Sequence, residues 1–138
     1  MKIKIKHVKN RRNAYQTSQN VLISFSYALN GIKYTFRNSR NFKIQVLFAL
    51  LSFFVGFILQ LDYRDYWILF LTVFSVLTLE ILNTSIESLV DLVVEKKFNN
   101  LAKIAKDCSA GAVLLASINS VIIGLGLFIP KIKLLFLN

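Results

Sequence analysis

The most restrictive feature of the sequence is a row of polar residues at the end of a long apolar segment that starts near Tyr66. In the stretch EILNTSIESLVD this row consists of Glu80, Asn83, Thr84, Glu87 and Asp91. Their positions, i, i+3, i+4, i+7 and i+11, lie on one face of a helix. Burying a charged side chain in a membrane costs about 2.5 to 3.5 kcal/mol on insertion scales. Because chemistry is the usual reason to accept that cost, the stretch predicts a membrane helix with a functional site.

The composition favours a membrane protein. The 138 residues are 55% hydrophobic, with a mean hydropathy of +0.56, which is too apolar for an ordinary soluble domain. The net charge is +10, and ten of the seventeen Lys and Arg residues lie in 1–43, a segment without any acidic residue. A basic segment is compatible with nucleic-acid binding, but the apolar segments that follow favour anionic lipid headgroups. We therefore expect anionic lipid as a partner and no nucleic acid.

The N-terminal part divides into two segments. Residues 1–19 have no apolar helical face and are expected to form a flexible basic tail. Residues 20–37 predict an amphipathic helix at the membrane surface, because the apolar side chains fall within about 80° of a helical wheel and face polar and basic positions. The alternative is a helix packed on a soluble core. The apolar side chains are Leu22, Phe25, Leu29, Ile32 and Phe36.

Three segments are long and apolar enough to span a membrane, at about 44–61, 66–91 and 109–129. Pro130 is expected to end the last helix, because proline has no backbone N–H with which to continue it. Residues 131–138 are then a C-terminal tail. The predicted fold is an all-α membrane protein with one amphipathic surface helix and three transmembrane helices in each subunit.

The charge distribution predicts a cytoplasmic N-terminus, which places loop 62–65 outside and loop 94–107 inside. This topology brings residues 38–43, the polar row and residues 102–107 together on the cytoplasmic side. Carboxylates beside lysines at a membrane surface suit a divalent metal ion and phosphate groups. The alternative is that these polar groups form only interhelical hydrogen bonds and solvated helix ends.

Two common types of site are absent from the sequence. There is no G-x-x-x-x-G-K-[ST] phosphate loop, and one Cys with one distant His gives neither a zinc site nor a disulfide. Any nucleotide must therefore be held by side chains and metal ions.

The sequence resembles one known family. EILNTSIESLVD at 80–91, followed by LAKIAKDCSAGAVLL at 101–115, is similar to the paired signature of the prokaryotic diacylglycerol kinase and undecaprenol kinase family. The match extends upstream through Tyr27, Gly31, Tyr34 and the RNF at 40–42, so that it covers one membrane domain of residues 20–130.

The resemblance implies a small homotrimeric enzyme of the inner (plasma) membrane, with its active site on the cytoplasmic side. Such an enzyme uses Mg²⁺ and transfers the γ-phosphate of ATP to a lipid alcohol, either diacylglycerol or, as an alternative, undecaprenol. An alternative of another class is a non-catalytic membrane assembly protein that keeps the polar row for trimer packing.

The resemblance also implies roles for individual residues. Glu80 matches the catalytic base that accepts the proton of the lipid hydroxyl, and Glu87 matches a carboxylate that binds the magnesium of ATP. Two other active-site polar positions are matched by Asn83 and Asp91. Further nucleotide contacts are matched by Tyr27, Lys106 and Asp107.

The sequence departs from the family pattern at two places. Ser39 stands where many members have a glutamate that is a second metal ligand, and the loop KKFNN at 96–100 lacks a Tyr-His pair. A hydroxyl is a weaker magnesium ligand than a carboxylate, so Glu87 is expected to provide most of the protein's charge to the metal. On this interpretation the substitution Ser39→Ala should have little effect.

Overall fold

The computed structural model describes residues 21–95 and 97–137, and the regular structure in this part of the chain is α-helical throughout. Four helices follow one another: α1 (Val21–Asn38), α2 (Arg40–Ile58), α3 (Tyr63–Val93) and α4 (Asn100–Leu137). The expected basic tail, 1–19, lies outside the described residues. Helix α3 is central, because it packs against α1, α2 and most extensively α4. Since α2, α3 and α4 are each long and apolar enough to cross a membrane, the predicted fold class is confirmed.

A single residue, Ser39, separates α1 from α2. Its N–H donates to the Thr35 carbonyl at 2.8 Å, and its Oγ accepts from the Phe42 N–H at 3.1 Å. This cap satisfies one of the backbone donors that the first turn of a helix leaves open. Helix α2 therefore begins at Arg40, four residues before the predicted start of the span. The rings of Phe36 and Phe42 meet edge to face across this corner, with centroids 6.3 Å apart.

Helix α2 also ends earlier than the predicted span. Gln60 has a φ of 52°, a left-handed conformation that stops the helix. The Gln60 N–H donates to the Phe57 carbonyl at 3.2 Å, and the Leu61 N–H donates to the Gly56 carbonyl at 3.0 Å. Leu61 folds back over Gly56, where an added Cβ would lie 2.9 Å from Leu61 Cδ1. The missing side chain at Gly56 therefore makes room for this tight end, which is a Schellman motif.

The prediction that the last helix ends at Pro130 is wrong, since α4 continues to Leu137. Proline removes one backbone hydrogen bond and strains the preceding turn, but in apolar surroundings neighbouring groups commonly compensate. Beyond Pro130 the helix is fixed by an ion pair in which Lys131 Nζ lies 2.6 Å from Asp62 Oδ2. This pair joins α4 to the loop between α2 and α3.

The buried side of α3 combines apolar and polar residues. Leu69 and Val76 are buried in one half, and Glu80, Asn83 and Thr84 are buried in the other. By contrast, large apolar side chains project outward along α2 to α4, a distribution suited to a hydrocarbon environment. The polar site therefore lies inside the helix bundle, near the end where α1 joins α2.

Candidate active site

The polar row of α3 faces two different neighbours. Its first member, Glu80, contacts α2, while Asn83 and Asp91 contact α4. Burial decreases along the row, from Glu80 at 2% exposed to Glu87 and Asp91, which are half-buried. One helix face therefore connects a buried carboxylate with a group of partly exposed polar residues.

Glu80 is held by two donors, one from the cap of α2 and one from α2 itself. The Ser39 hydroxyl donates to Oε1 at 2.7 Å, and the Gln45 Nε2 donates to Oε2 at 3.3 Å. No basic side chain pairs with Glu80 in the part of the chain that the structure describes. The two hydrogen bonds stabilise a charge that burial alone would penalise by several kcal/mol.

Asn83 joins α3 to α4 through its side-chain amide. The Ser109 hydroxyl donates to Asn83 Oδ1 at 2.6 Å, and Asn83 Nδ2 lies 3.4 Å from Glu87 Oε1. This amide therefore links the buried part of the row to Glu87.

The far end of the row forms the wall of a pocket. Lys106 Nζ lies 2.6 Å from Asp91 Oδ1, across the junction of α3 and α4. A pocket of about 550 Å³ is lined there by these two residues, Asp107, Lys103 and the loop residue Phe98, among others. It combines three features that suit a nucleotide, namely ammonium groups for phosphates, carboxylates for a phosphate-bound cation and an aromatic ring for a base.

A smaller cleft of about 250 Å³ lies beside Glu80, between α2, α3 and α4. Ile44, Gln45 and Ser117 line this cleft and also line an apolar groove of about 480 Å³ that extends toward Gly124 and Phe128. The cleft therefore leads from the buried carboxylate to a surface suited to hydrocarbon chains.

Gln45 leaves an acceptor unused at this cleft. Among the described residues, its buried Oε1 has no hydrogen-bond partner. An unsatisfied buried acceptor costs about 1 to 3 kcal/mol, so a hydroxyl donor that enters the cleft would gain this amount of interaction.

Glu87 is the residue of the row best suited to hold a magnesium ion. Within the described residues, no three His, Cys, Asp or Glu side chains form a metal cluster. Magnesium is often bound by one or two carboxylates together with substrate phosphates and water. Glu87 is half-buried, has no cationic partner among the described residues and contacts only a neutral amide, so it fits such an ion.

Most of the residues expected in the site lie along this face of α3, whereas Asp107 lies on α4 and Tyr27 on α1. Asp107 lines the larger pocket and is exposed. Tyr27 on α1 is 62% exposed, and within the described chain no hydrogen bond joins it to the polar row.

Gln45 and Ser109 belong to the site but were not predicted from the sequence as functional residues. The signal for Gln45 was a lone amide near the start of an apolar span, where an unpaired polar group is costly. Ser109 gave no comparable signal, because serine occurs at many helix packing positions in membranes.

Comparisons with known proteins agree with this arrangement. Residues 26–128 match the family model described as prokaryotic diacylglycerol kinase. A diacylglycerol kinase of Synechocystis is 45% identical over 122 residues, which cover 88% of this chain and 70% of the relative. An undecaprenol kinase of Bacillus subtilis is 42% identical over 109 residues, which cover 79% of this chain and 88% of the relative.

A more distant diacylglycerol kinase, from Helicobacter pylori, is 32% identical over 92 residues, or 67% of this chain and 71% of the relative. The family model spans most of the sequence and includes the complete polar row together with Lys106 and Asp107. The family inferred from the sequence is therefore confirmed, and with it a lipid substrate and ATP as co-substrate. The chain belongs to the prokaryotic diacylglycerol kinase family.

Proposed function

We propose that this protein is an ATP-dependent diacylglycerol kinase, which transfers the γ-phosphate of ATP to the lipid hydroxyl and forms phosphatidic acid and ADP. The observation that carries the proposal is the position of Glu80. Its buried carboxylate borders a cleft that opens on an apolar groove, and the same helix face leads to a polar pocket. A lipid hydroxyl and a nucleotide are thereby given two sites along one helix face.

In the proposed reaction Glu80 is the general base. It accepts the proton of the lipid hydroxyl while the lipid oxygen bonds to the γ-phosphorus and the bond from phosphorus to ADP breaks. Because a hydroxyl has one proton, the unused Oε1 of Gln45 can accept from it only before that proton is donated to Glu80. The hydrocarbon part of the lipid lies in the apolar groove.

At the other end of the row, Lys106 neutralises phosphate charge and Asp107 contacts the nucleotide. Glu87 would hold Mg²⁺, and Asn83 would orient Glu87 through its amide. When bound, this ion neutralises the charge that develops on the phosphates. Asp91 keeps Lys106 directed into the pocket, since their side chains lie 2.6 Å apart. We also propose Tyr27 as a nucleotide contact, provided by α1.

Undecaprenol is the second candidate substrate. The observation that favours it is the 42% identity to a relative named undecaprenol kinase. The groove does not distinguish the two alcohols by charge, because its lining is predominantly apolar with a few hydroxyl groups. Both substrates react through a hydroxyl at the end of a hydrocarbon-bearing molecule, so the same Glu80 would serve either.

We expect the wild-type protein, purified in detergent micelles, to transfer radiolabelled γ-phosphate from ATP to diacylglycerol at a higher kcat/KM than to undecaprenol. The assay presents each lipid separately at equal mole fraction. The reverse preference would identify an undecaprenol kinase. Transfer to neither lipid would favour the non-catalytic assembly protein instead.

We also propose that the enzyme assembles as a homotrimer and contacts anionic lipid headgroups. The outward apolar faces of the helices require lipid or further copies of the chain, which is consistent with the homotrimer that the family resemblance implies. The basic residues near the junction of α1 and α2, Arg37, Arg40 and Lys43, favour contact with anionic headgroups. These residues lie at the same end of the bundle as the active site.

The protein is therefore proposed to reside in the inner membrane with its active site on the cytoplasmic side. Tyr63→Cys in a Cys108→Ala background should react with an impermeant thiol reagent from outside intact cells. Lys97→Cys in the same background is the matched control and should react only after the cytoplasmic face is opened. Labelling of position 63 from the cytoplasmic side alone would overturn this topology.

A further inference from the structure

The hydroxyl of Ser39 has two hydrogen-bonding roles at once. A serine hydroxyl carries one proton and two lone pairs. At Ser39 a lone pair accepts from the Phe42 N–H at 3.1 Å, while the proton is donated to Glu80 Oε1 at 2.7 Å. Because the helix cap fixes the oxygen, the start of α2 also fixes the direction from which Glu80 receives this hydrogen bond.

The other oxygen of Glu80 is held from the same helix. Gln45 Nε2 lies 3.3 Å from Oε2, so each carboxylate oxygen has one donor, from α2 or from its cap. The first turn of α2 adds a partial positive charge, because its backbone N–H groups point toward the start of the helix. The start of α2 therefore both stabilises and orients the buried carboxylate.

We propose that Ser39 is a positioning residue for Glu80 and not a magnesium ligand. The inference rests on the proposed kinase function, in which Glu80 must meet the incoming lipid hydroxyl with a free lone pair. By occupying one position on Oε1, the Ser39 hydroxyl holds the carboxylate plane while leaving other lone pairs for the substrate. General-base catalysis depends on this orientation.

The position of Glu87 supports this role over metal binding. Glu87 follows Glu80 by seven residues of one helix, a rise of about 10.5 Å along the axis. Ser39 contacts Glu80, at the buried end of this interval, and its proton and one lone pair are already engaged. Because of this contact we expect Ser39→Ala to lower activity, whereas the sequence alone led us to expect little effect.

The test compares four variants of the full chain in the lipid kinase assay. Ser39→Ala and Ser39→Gly should each lower kcat about tenfold, the usual scale for losing a hydrogen bond to a charged group, without changing KM for ATP or the magnesium requirement. Ser39→Thr keeps a hydroxyl and should restore most of kcat. Ser75→Ala is the control, because among the described residues the Ser75 hydroxyl donates only to the Leu71 carbonyl of its own helix.

The glycine variant separates catalysis from helix capping. Glycine is nearly as good a helix cap as serine, whereas alanine is a poor one. Equal losses in Ser39→Ala and Ser39→Gly therefore support the contact with Glu80. The inference is overturned if Ser39→Gly keeps the wild-type kcat, if Ser39→Thr is no better than alanine, or if the variants change the magnesium requirement and not kcat.

A second measurement does not depend on kinase activity. The infrared carboxylate band of Glu80, identified as the band missing in Glu80→Gln, should shift in Ser39→Ala and stay in place in Ser75→Ala. An unshifted band overturns the contact itself. If the band shifts in Ser39→Ala but the wild-type protein transfers no phosphate, the proposed function is overturned, and with it the catalytic part of this inference, while the contact stands.

Discussion

Replacing Glu80 with glutamine should lower the turnover number about 10²- to 10⁴-fold, the usual contribution of general-base catalysis. An amide cannot take the proton of the lipid hydroxyl. The fold should persist, because the Ser39 hydroxyl can donate to the new amide oxygen. The Gln45 amide can rotate so that its unused oxygen accepts from the new NH₂ group.

The measurement is the initial rate of phosphate transfer at saturating ATP and lipid, together with the size of the detergent-solubilised complex. Glu95→Gln is a suitable control, since Glu95 is exposed and pairs with Lys97 at 3.0 Å outside the polar row. We expect the control to keep normal turnover and both variants to keep the wild-type size. Turnover close to normal in Glu80→Gln would remove Glu80 from the role of base.

Replacing Glu87 with alanine should raise the magnesium concentration needed for half-maximal activity at least about tenfold, with a parallel rise in KM for ATP. The effect should be large because Ser39 contributes no second carboxylate to the site. The loss of Glu87 leaves Asn83 hydrogen-bonded to Ser109, so the packing of α3 on α4 should be preserved.

A magnesium titration at saturating lipid tests this expectation. Asp65→Asn removes a carboxylate from the opposite end of the same helix and should leave the titration unchanged. If Glu87→Ala titrates like the wild type, then Glu87 does not bind the metal, and Asp91 or Asp107 becomes the leading candidate.

The features that the sequence predicted well are those encoded by local pattern. The positions of Glu80, Asn83 and Thr84 at intervals of three or four residues required only that the segment be helical, and the structure buries all three. The spans were likewise recognisable from the length of their apolar runs. These properties depend on residues close together in the chain, so no tertiary contact was needed to infer them.

The helix ends and the hydrogen bonds to Glu80 depend on tertiary geometry, which local pattern does not encode. Gln60 is not a residue that commonly adopts a left-handed conformation, so the end of α2 had no clear sequence signal. Ser39 and Glu80 are 41 residues apart, and their contact exists only because the connection between α2 and α3 turns α3 back along α2. Without that geometry, Ser39 could be interpreted only through the glutamate that other family members have at its position.

The unbroken length of α4 determines which parts of the protein can open and close. From Asn100 to Pro130 this helix is a continuous rod of about 45 Å, which exceeds the roughly 30 Å of membrane hydrocarbon. One end forms a wall of the larger pocket, and the other is anchored by Asp62. A rod anchored in this way cannot fold over a bound nucleotide. We therefore expect movement over a bound nucleotide to come from shorter elements such as α1, or from exposed side chains such as Phe98, which is 83% exposed.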